Sequence, residues 1–154
     1  DHMLEQLAKQ AVIGITLSCI GDTHIYERHT VEDCAIAIGQ ALKQALGDKF
    51  GIARYGFSLP MDEASATVLL DISNRGLFKF EGHFAREAVG TLPTELVPHF
   101  FQSLSEAAGF TVHMSVQGEN THHMIEGCFK AFARVLKQAI AQTGQSLPST
   151  KGVL

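Results

Sequence analysis

Arg28-His-Thr-Val-Glu-Asp-Cys-Ala-Ile-Ala-Ile-Gly-Gln-Ala-Leu-Lys-Gln-Ala-Leu46 aligns without a gap to His122-His-Met-Ile-Glu-Gly-Cys-Phe-Lys-Ala-Phe-Ala-Arg-Val-Leu-Lys-Gln-Ala-Ile140, and this correspondence decides how the chain is built. His29/His123, Glu32/Glu126, Cys34/Cys128, Ala37/Ala131 and the Leu-Lys-Gln-Ala run at 42–45 and 136–139 are identical, four single positions plus four in the run, eight of 19 in all. Amphipathic helices share Leu and Ala through composition alone. A His, a Glu and a Cys held in register mark an internal repeat. Upstream, with a three-residue shift in the loop, Ile15 to Gly21 pairs with Val112 to Gly118 and Met3–Leu7 with Phe100–Leu104, which sets His2 opposite His99. Each half therefore reads as a helix opening with His, a strand, and a helix opening with a His/Glu cluster.

The second half is fuller. Ala66, Val68, Leu70 and Ile72 alternate with Ser65, Thr67, Leu69 and Asp71, the pattern of a strand with one buried face, over Ala64–Ile72. The turn Ser73–Gly76, a strand over Leu77–Phe84, a helix over Thr94–Ala108, a strand over Phe110–Gln117 and a helix over His122–Gln142 follow. Thr94 is the expected N-cap, and Gly109 and Gly144 the expected helix stops. Ile52–Leu59 reads as a further strand, ended by Pro60. The first half has no opening strand pair, so the reading expects that about 30–40 residues of the first repeat, a strand pair with loops, are missing upstream. The expected fold is α+β, a tandem duplication with helices on one face of a mainly antiparallel sheet. Residues 1–50 are an incomplete first repeat (helix–strand–helix), 51–145 the second repeat (strands–helix–strand–helix), and 146–154 a C-terminal tail.

Composition narrows the function classes. Across 154 residues, 45% are hydrophobic and 18% charged, which suits a packed core rather than a disordered chain. A formal charge of −4, with Lys and Arg unclustered, gives no footprint for nucleic acid. The longest apolar run, Ala11 to Ile20, is interrupted by Gly14, Thr16 and Ser18; it is too short for a membrane span and reads as a strand. Cys19, Cys34 and Cys128 form an odd set without CxxC spacing, as expected of free thiols in a reducing, cytoplasmic setting, with Cys34 and Cys128 on apolar helix faces.

Histidine is the informative residue type. Of eight, five (His2, His29, His99, His122 and His123) fall at expected helix starts, whereas His24, His83 and His113 have no such place. On a helix, positions i and i+4 share a face while i and i+1 diverge by about 100°. His122 and Glu126 can thus grip one ion, with His123 directed elsewhere and free for a second. A single helix-end His is commonly a cap or a surface pair; the same cluster repeated in both halves argues for ligation. Imidazole with carboxylate suits Zn, Mn or Fe(II) rather than Ca or Mg.

His29-Thr-Val-Glu-Asp33, Pro60-Met-Asp-Glu63, Gly90-Thr-Leu-Pro-Thr-Glu95, His99-Phe-Phe101, His122-His123 with Glu126, Phe129-Lys-Ala-Phe132 and the ending Leu147-Pro-Ser-Thr-Lys-Gly-Val-Leu154 resemble imidazoleglycerol-phosphate dehydratase over nearly the whole chain. The ending is similar to that of bifunctional bacterial enzymes that also carry a histidinol-phosphatase domain. The resemblance implies a hydro-lyase of histidine biosynthesis that removes water from D-erythro-imidazoleglycerol phosphate to give imidazole-acetol phosphate. It implies two manganese ions per subunit, held by His2, His29, Glu32, His99, His122, His123 and Glu126, with Glu32 and Glu126 also serving catalysis. It implies that Arg54, Arg75, Ser149 and Lys151 hold the substrate phosphate, that Gln6 and Lys130 line the pocket, and that the chain assembles with copies of itself into trimers and, with manganese, a 24-subunit shell. The sequence departs from the family at Arg28, where the family has His, and at Gln10 and Tyr26-Glu27. Arginine keeps its proton and cannot ligate a metal, so one manganese site is expected to be weak or empty. The competing reading is a catalytically silent, metal-binding, shell-forming relative.

Overall fold

The computed structural model describes residues 1–21, 26–58 and 60–154. Its frame is a four-stranded sheet in the order β1 (Tyr55–Ser58), β2 (Ser65–Asp71), β6 (Thr111–Gln117), β3 (Leu77–Glu81). The β1–β2 and β2–β6 pairs are antiparallel, and β3 runs parallel to β6. A short β4 (Ala88–Val89) and β5 (Leu92–Pro93) form a separate hairpin.

Alternation places one face of this sheet in the core. Ala66, Val68 and Leu70 of β2 and Val112, Met114 and Val116 of β6 are buried, and they lie under α3 (Leu96–Ala108) and α4 (Thr121–Ile140). Phe101 on α3 packs against Phe78, Phe100, Phe129 and Phe132 at ring-centroid distances between 4.7 and 6.4 Å. Gly109 ends α3 in the left-handed region at φ 73°, the conformation glycine adopts without a Cβ clash.

A further layer comes from the first half. Helix α1 (His2–Ala11) packs on α4, and α2 (Glu27–Leu46) packs on α3. By the repeat, α1 corresponds to α3 and α2 to α4, so the halves exchange partners crosswise, as an approximate two-fold axis between them requires. The α2–α3 approach is close: a Cβ at Gly39 would lie 2.6 Å from the Leu104 carbonyl oxygen and 2.9 Å from the Ala107 Cβ. This crossing carries the open ends of α2 and α3 toward each other, as α1 and α4 carry theirs.

Four expectations need correction. Ala11 belongs to α1, Val12 turns the chain at φ 58°, and residues 13–20 have no regular structure; Ile20 is fully exposed. The counterpart segment, β6, is a strand because β2 and β3 bond it on both sides. Among the described residues nothing pairs with 13–20, and without a ladder the extended form has no use for its backbone groups. Thr94 does not cap α3: its hydroxyl donates to the Arg86 and Glu87 carbonyls, and Glu95 holds the cap position without a side-chain bond. Helix α4 stops at Ile140, before Gly144. The expected strand over 52–59 is shorter, Tyr55–Ser58, with Ile52 bridging to Gln142. Its final residue, Leu59, lies outside the described residues, as does His24. Among the described residues no helix is long and apolar enough to cross a membrane.

Candidate metal centre and anion clamp

The open ends of α1 and α4 meet at the first cluster. Asn120, preceding α4, accepts hydrogen bonds from the backbone nitrogens of His122 and His123 through Oδ1, at 2.9 and 3.3 Å. This cap fixes the helix start and therefore the directions of both imidazoles. One turn on, Glu126 brings Oε2 within 3.3 Å of His122 Nε2. From α1, His2 sets its ring parallel to that of His122 (interplanar angle 3°), and the ligating atoms of His2, His122 and Glu126 all lie within 4.8 Å of one another.

Lys130 and Gln6 hold the other oxygen of Glu126, with Nζ–Oε1 and Nε2–Oε1 distances of 2.6 and 3.4 Å. The Lys130 hydrogen bond, ahead of the charge of Lys130 and the neighbouring histidines, lowers the Glu126 carboxyl below its ordinary value. Glu126 is thus ionised at neutral pH with one oxygen directed at two imidazoles.

A second cluster forms where α2 meets α3. His99 Nε2 lies 3.0 Å from Glu32 Oε2, and Arg28 Nε donates to the same His99 nitrogen at 3.5 Å. Arg28 is raised above its ordinary value, first by a hydrogen bond with Tyr26 and then by nearby charges that include Glu32 and Glu95. His29 turns edge-on to the Tyr26 ring, 5.2 Å between centroids.

His123 is directed away from its neighbour, as the i, i+1 geometry requires, and engages Glu63 at 2.8 Å from Nδ1 to Oε2. The other Glu63 oxygen accepts from the Asn120 backbone nitrogen at 3.1 Å. Glu63 is a site residue that the sequence reading did not single out. Its only signal was the Pro60-Met-Asp-Glu63 motif; the pairing spans sixty positions and depends on how the loop before β2 folds.

The phosphate candidates collect at the opposite end of α4. Arg54 grips Asp71 with Nε–Oδ1 at 2.6 Å and Nη2–Oδ2 at 3.1 Å, and its Nη1 donates to the Pro148 carbonyl at 2.8 Å. Its backbone sits at φ 71°, unusual for a residue with a side chain, and is held there by bonds from Arg54 N to Ala139 O and from Ile72 N to Arg54 O. Arg75 stands 4.0 Å from Asp71 with its side chain 71% exposed. Pro148 brings in the tail, in which Lys151 N donates to Ser149 Oγ.

The residues in the first cluster fit a divalent ion. Two donors about 2.1 Å from one ion stand no more than about 4.2 Å apart, so a set already within 4.8 Å closes with small side-chain rotations. Two imidazoles and a carboxylate suit manganese, zinc or ferrous iron. The second cluster offers His99 and Glu32, with a guanidinium in the third place.

Three comparisons bear on this geometry. The sequence pattern described as Imidazoleglycerol-phosphate dehydratase matches residues 1–136. Proteins named histidine biosynthesis bifunctional protein HisB, from Xylella fastidiosa and Stenotrophomonas maltophilia, are 54% and 56% identical over the whole chain. The chain spans 46% and 43% of their lengths, somewhat under half. The crystal structure of imidazoleglycerol-phosphate dehydratase from Staphylococcus aureus superposes with a TM-score of 0.86 at 40% identity, over 92% of this chain and 81% of that one. The Pyrococcus furiosus structure gives 0.81 at 30% identity, over 99% and 84%.

Proposed function

The chain belongs to the imidazoleglycerol-phosphate dehydratase family, and from that premise we propose that it carries the dehydratase activity, removing water from imidazoleglycerol phosphate with manganese bound at His2, His122 and Glu126. The observation that carries this reading is the convergence of those three side chains from two helix ends, their ligating atoms within 4.8 Å of one another, around a space that one ion would fill. A bound divalent ion supplies Lewis acidity toward the substrate imidazole.

The chain's own residues do the rest. Lys130 keeps Glu126 ionised, and Lys130 and Gln6 together hold its Oε1. Glu126 and Glu32 are the carboxylates proposed to move protons on and off the substrate carbon and the departing oxygen. Arg75, its side chain 71% exposed and tethered through Nη1 to the Ser73 carbonyl, offers its guanidinium to a phosphate, and the tail can bring Ser149 and Lys151 over the same anion.

Distance within the subunit supports an assembly. Arg54 N bonds the carbonyl of Ala139, 13 residues past Glu126 (139 − 126), which is about 20 Å along a helix rising 1.5 Å per residue. A small phosphate ester cannot reach the Glu126 cluster and the Arg54 clamp of one subunit at once. We therefore propose a homo-oligomer, a trimer-based shell in the family's manner, in which one copy supplies the metal cluster and another the clamp. The outward sheet face, with Phe57 64% and Leu69 44% exposed, leaves apolar surface for such contacts. A cytoplasmic setting fits the three free cysteines.

A steady-state assay of the purified chain with imidazoleglycerol phosphate and added manganese tests the reading. Turnover that Glu126→Gln abolishes is expected. A second reading, a shell-forming relative without turnover, is favoured by Arg28, which stands at the third place of the second cluster. Assembly and metal uptake with no turnover would select it.

A further inference from the structure

The internal repeat makes the two helix-end clusters counterparts residue by residue. His2 corresponds to His99, Glu126 to Glu32 and His122 to Arg28. The crosswise packing of α1 on α4 and α2 on α3 then builds the same triangle twice. In the first triangle every corner donates a lone pair. In the second, two corners do so, His99 Nε2 and Glu32 Oε2 being 3.0 Å apart, and the third is a guanidinium whose Nε faces His99 Nε2 at 3.5 Å.

We propose that Arg28 is a built-in cation in the second cluster, occupying by charge and by position the place a divalent ion would take, so that each chain binds one metal ion, at His2, His122 and Glu126, and none between His99 and Glu32. This rests on the reading that the first cluster is a metal site. Three physical steps lead there. Arginine keeps its proton at any pH a folded protein survives, so it offers no lone pair. Its N–H is already directed at the imidazole nitrogen that would have to ligate, so a metal would first have to displace it. An ion there would then stand beside a fixed positive charge, with Glu32 in the cluster and Glu95 nearby to offset both. Arg28 also closes the α2 end onto α3: its Nε faces His99 Nε2, the same nitrogen that stands 3.0 Å from Glu32 Oε2, and that nitrogen accepts from Arg28 or donates to Glu32 according to its tautomer, not both at once. The first cluster has no such substitute, because Lys130 engages Glu126 on the oxygen turned away from His122.

The test counts metal. The purified chain, in whatever assembly it forms, is saturated with Mn²⁺ and freed of loose ion. Bound manganese is then measured by mass spectrometry and by the electron paramagnetic resonance of free Mn²⁺. One ion per chain is expected in the wild type, two in Arg28→His, and one again in Arg28→His combined with His99→Ala. Arg28 lies on the exposed first turn of α2, and a circular dichroism melt verifies that each variant is folded. Two tightly bound ions in the wild type would overturn this inference while leaving the metal reading of the first cluster standing. No bound ion in the wild type would overturn that reading and this inference together. One ion in folded Arg28→His would show that Arg28 is not what keeps metal out, and the proposal would fall.

Discussion

Arg54 meets Asp71 with the plane of its guanidinium matched to the carboxylate, Nε on one oxygen at 2.6 Å and Nη2 on the other at 3.1 Å. With side chains 13% and 22% exposed, the pair is sheltered enough to escape most solvent screening, unlike an ordinary surface salt bridge. It also anchors a residue whose backbone is in an uncommon conformation. Asp71→Asn keeps the shape but sets an NH₂ against Nη2 or Nε. The expected loss is about 1.5–3 kcal/mol, the range of a hydrogen bond to a charged group. Urea unfolding should show a lower midpoint with an unchanged slope. An unmoved midpoint would show that the pair contributes nothing.

Gly39→Ala separates propensity from packing. In an exposed helix interior, alanine in place of glycine stabilises by about 1 kcal/mol. At Gly39 the added Cβ would meet the Leu104 carbonyl oxygen at 2.6 Å, backbone that cannot rotate aside. Overpacking of this kind costs about 1–3 kcal/mol, so the net sign is expected to be destabilising. The strain lies on the α2–α3 crossing, which holds Glu32 against His99. A rise in melting temperature would show that α2 slides freely on α3.

What the sequence disclosed, and what it withheld, follows from the range of each interaction. Helices α3 and α4 and strands β2 and β6 were legible because their periodicity is local. The helix-end histidines were legible because the repeat supplied a second copy for comparison. Residues 13–20 carry the composition of a strand, but strand formation depends on partners, and periodicity is silent about whether any exist. Glu63 was missed because its partner, His123, is sixty positions away. Asp71 was missed as the carboxylate that Arg54 grips and Arg75 approaches, because alternation assigned it only to the outward face of β2.

The His123–Glu63 pair makes the metal-free protein sensitive to pH at the α4 end. Glu63, through its hydrogen bond to the imidazole, raises His123 above its ordinary 6.5, and His123 lowers Glu63 below its ordinary 4.5. The contribution of a raised His is complete below 6.5 and is lost as pH rises through its folded value. That of a lowered Glu is complete above 4.5 and is lost as pH falls through its folded value. The pair is therefore fully formed between about 4.5 and 6.5 and fades on both sides. Proton NMR of the His123 ring should show a titration midpoint that falls toward 6.5 in Glu63→Gln, with faster exchange of the Asn120 amide. A midpoint indifferent to the substitution would mean that the contact does not persist in solution.

Lys130 and Glu126 can be separated by their different places around the proposed ion. Glu126 Oε2 faces His122, whereas Lys130 touches only Oε1, at 2.6 Å. Glu126→Gln removes the charge of a ligand and is expected to abolish measurable manganese binding at micromolar concentrations. Lys130→Met removes an outer partner that orients the ligand, an effect usually worth about 10–100-fold in metal affinity. A competing effect has the opposite sign: the lysine charge repels the incoming cation, and its removal favours binding. Orientation should win, because Lys130 is also the main cause of the lowered Glu126 carboxyl, and without it protons compete better for the same oxygens. The loss in Lys130→Met should therefore be steeper at pH 6 than at pH 8. Titration with Mn²⁺ at both values decides the matter; equal or tighter binding in the variant would show that repulsion dominates and that Glu126 is oriented by its helix alone.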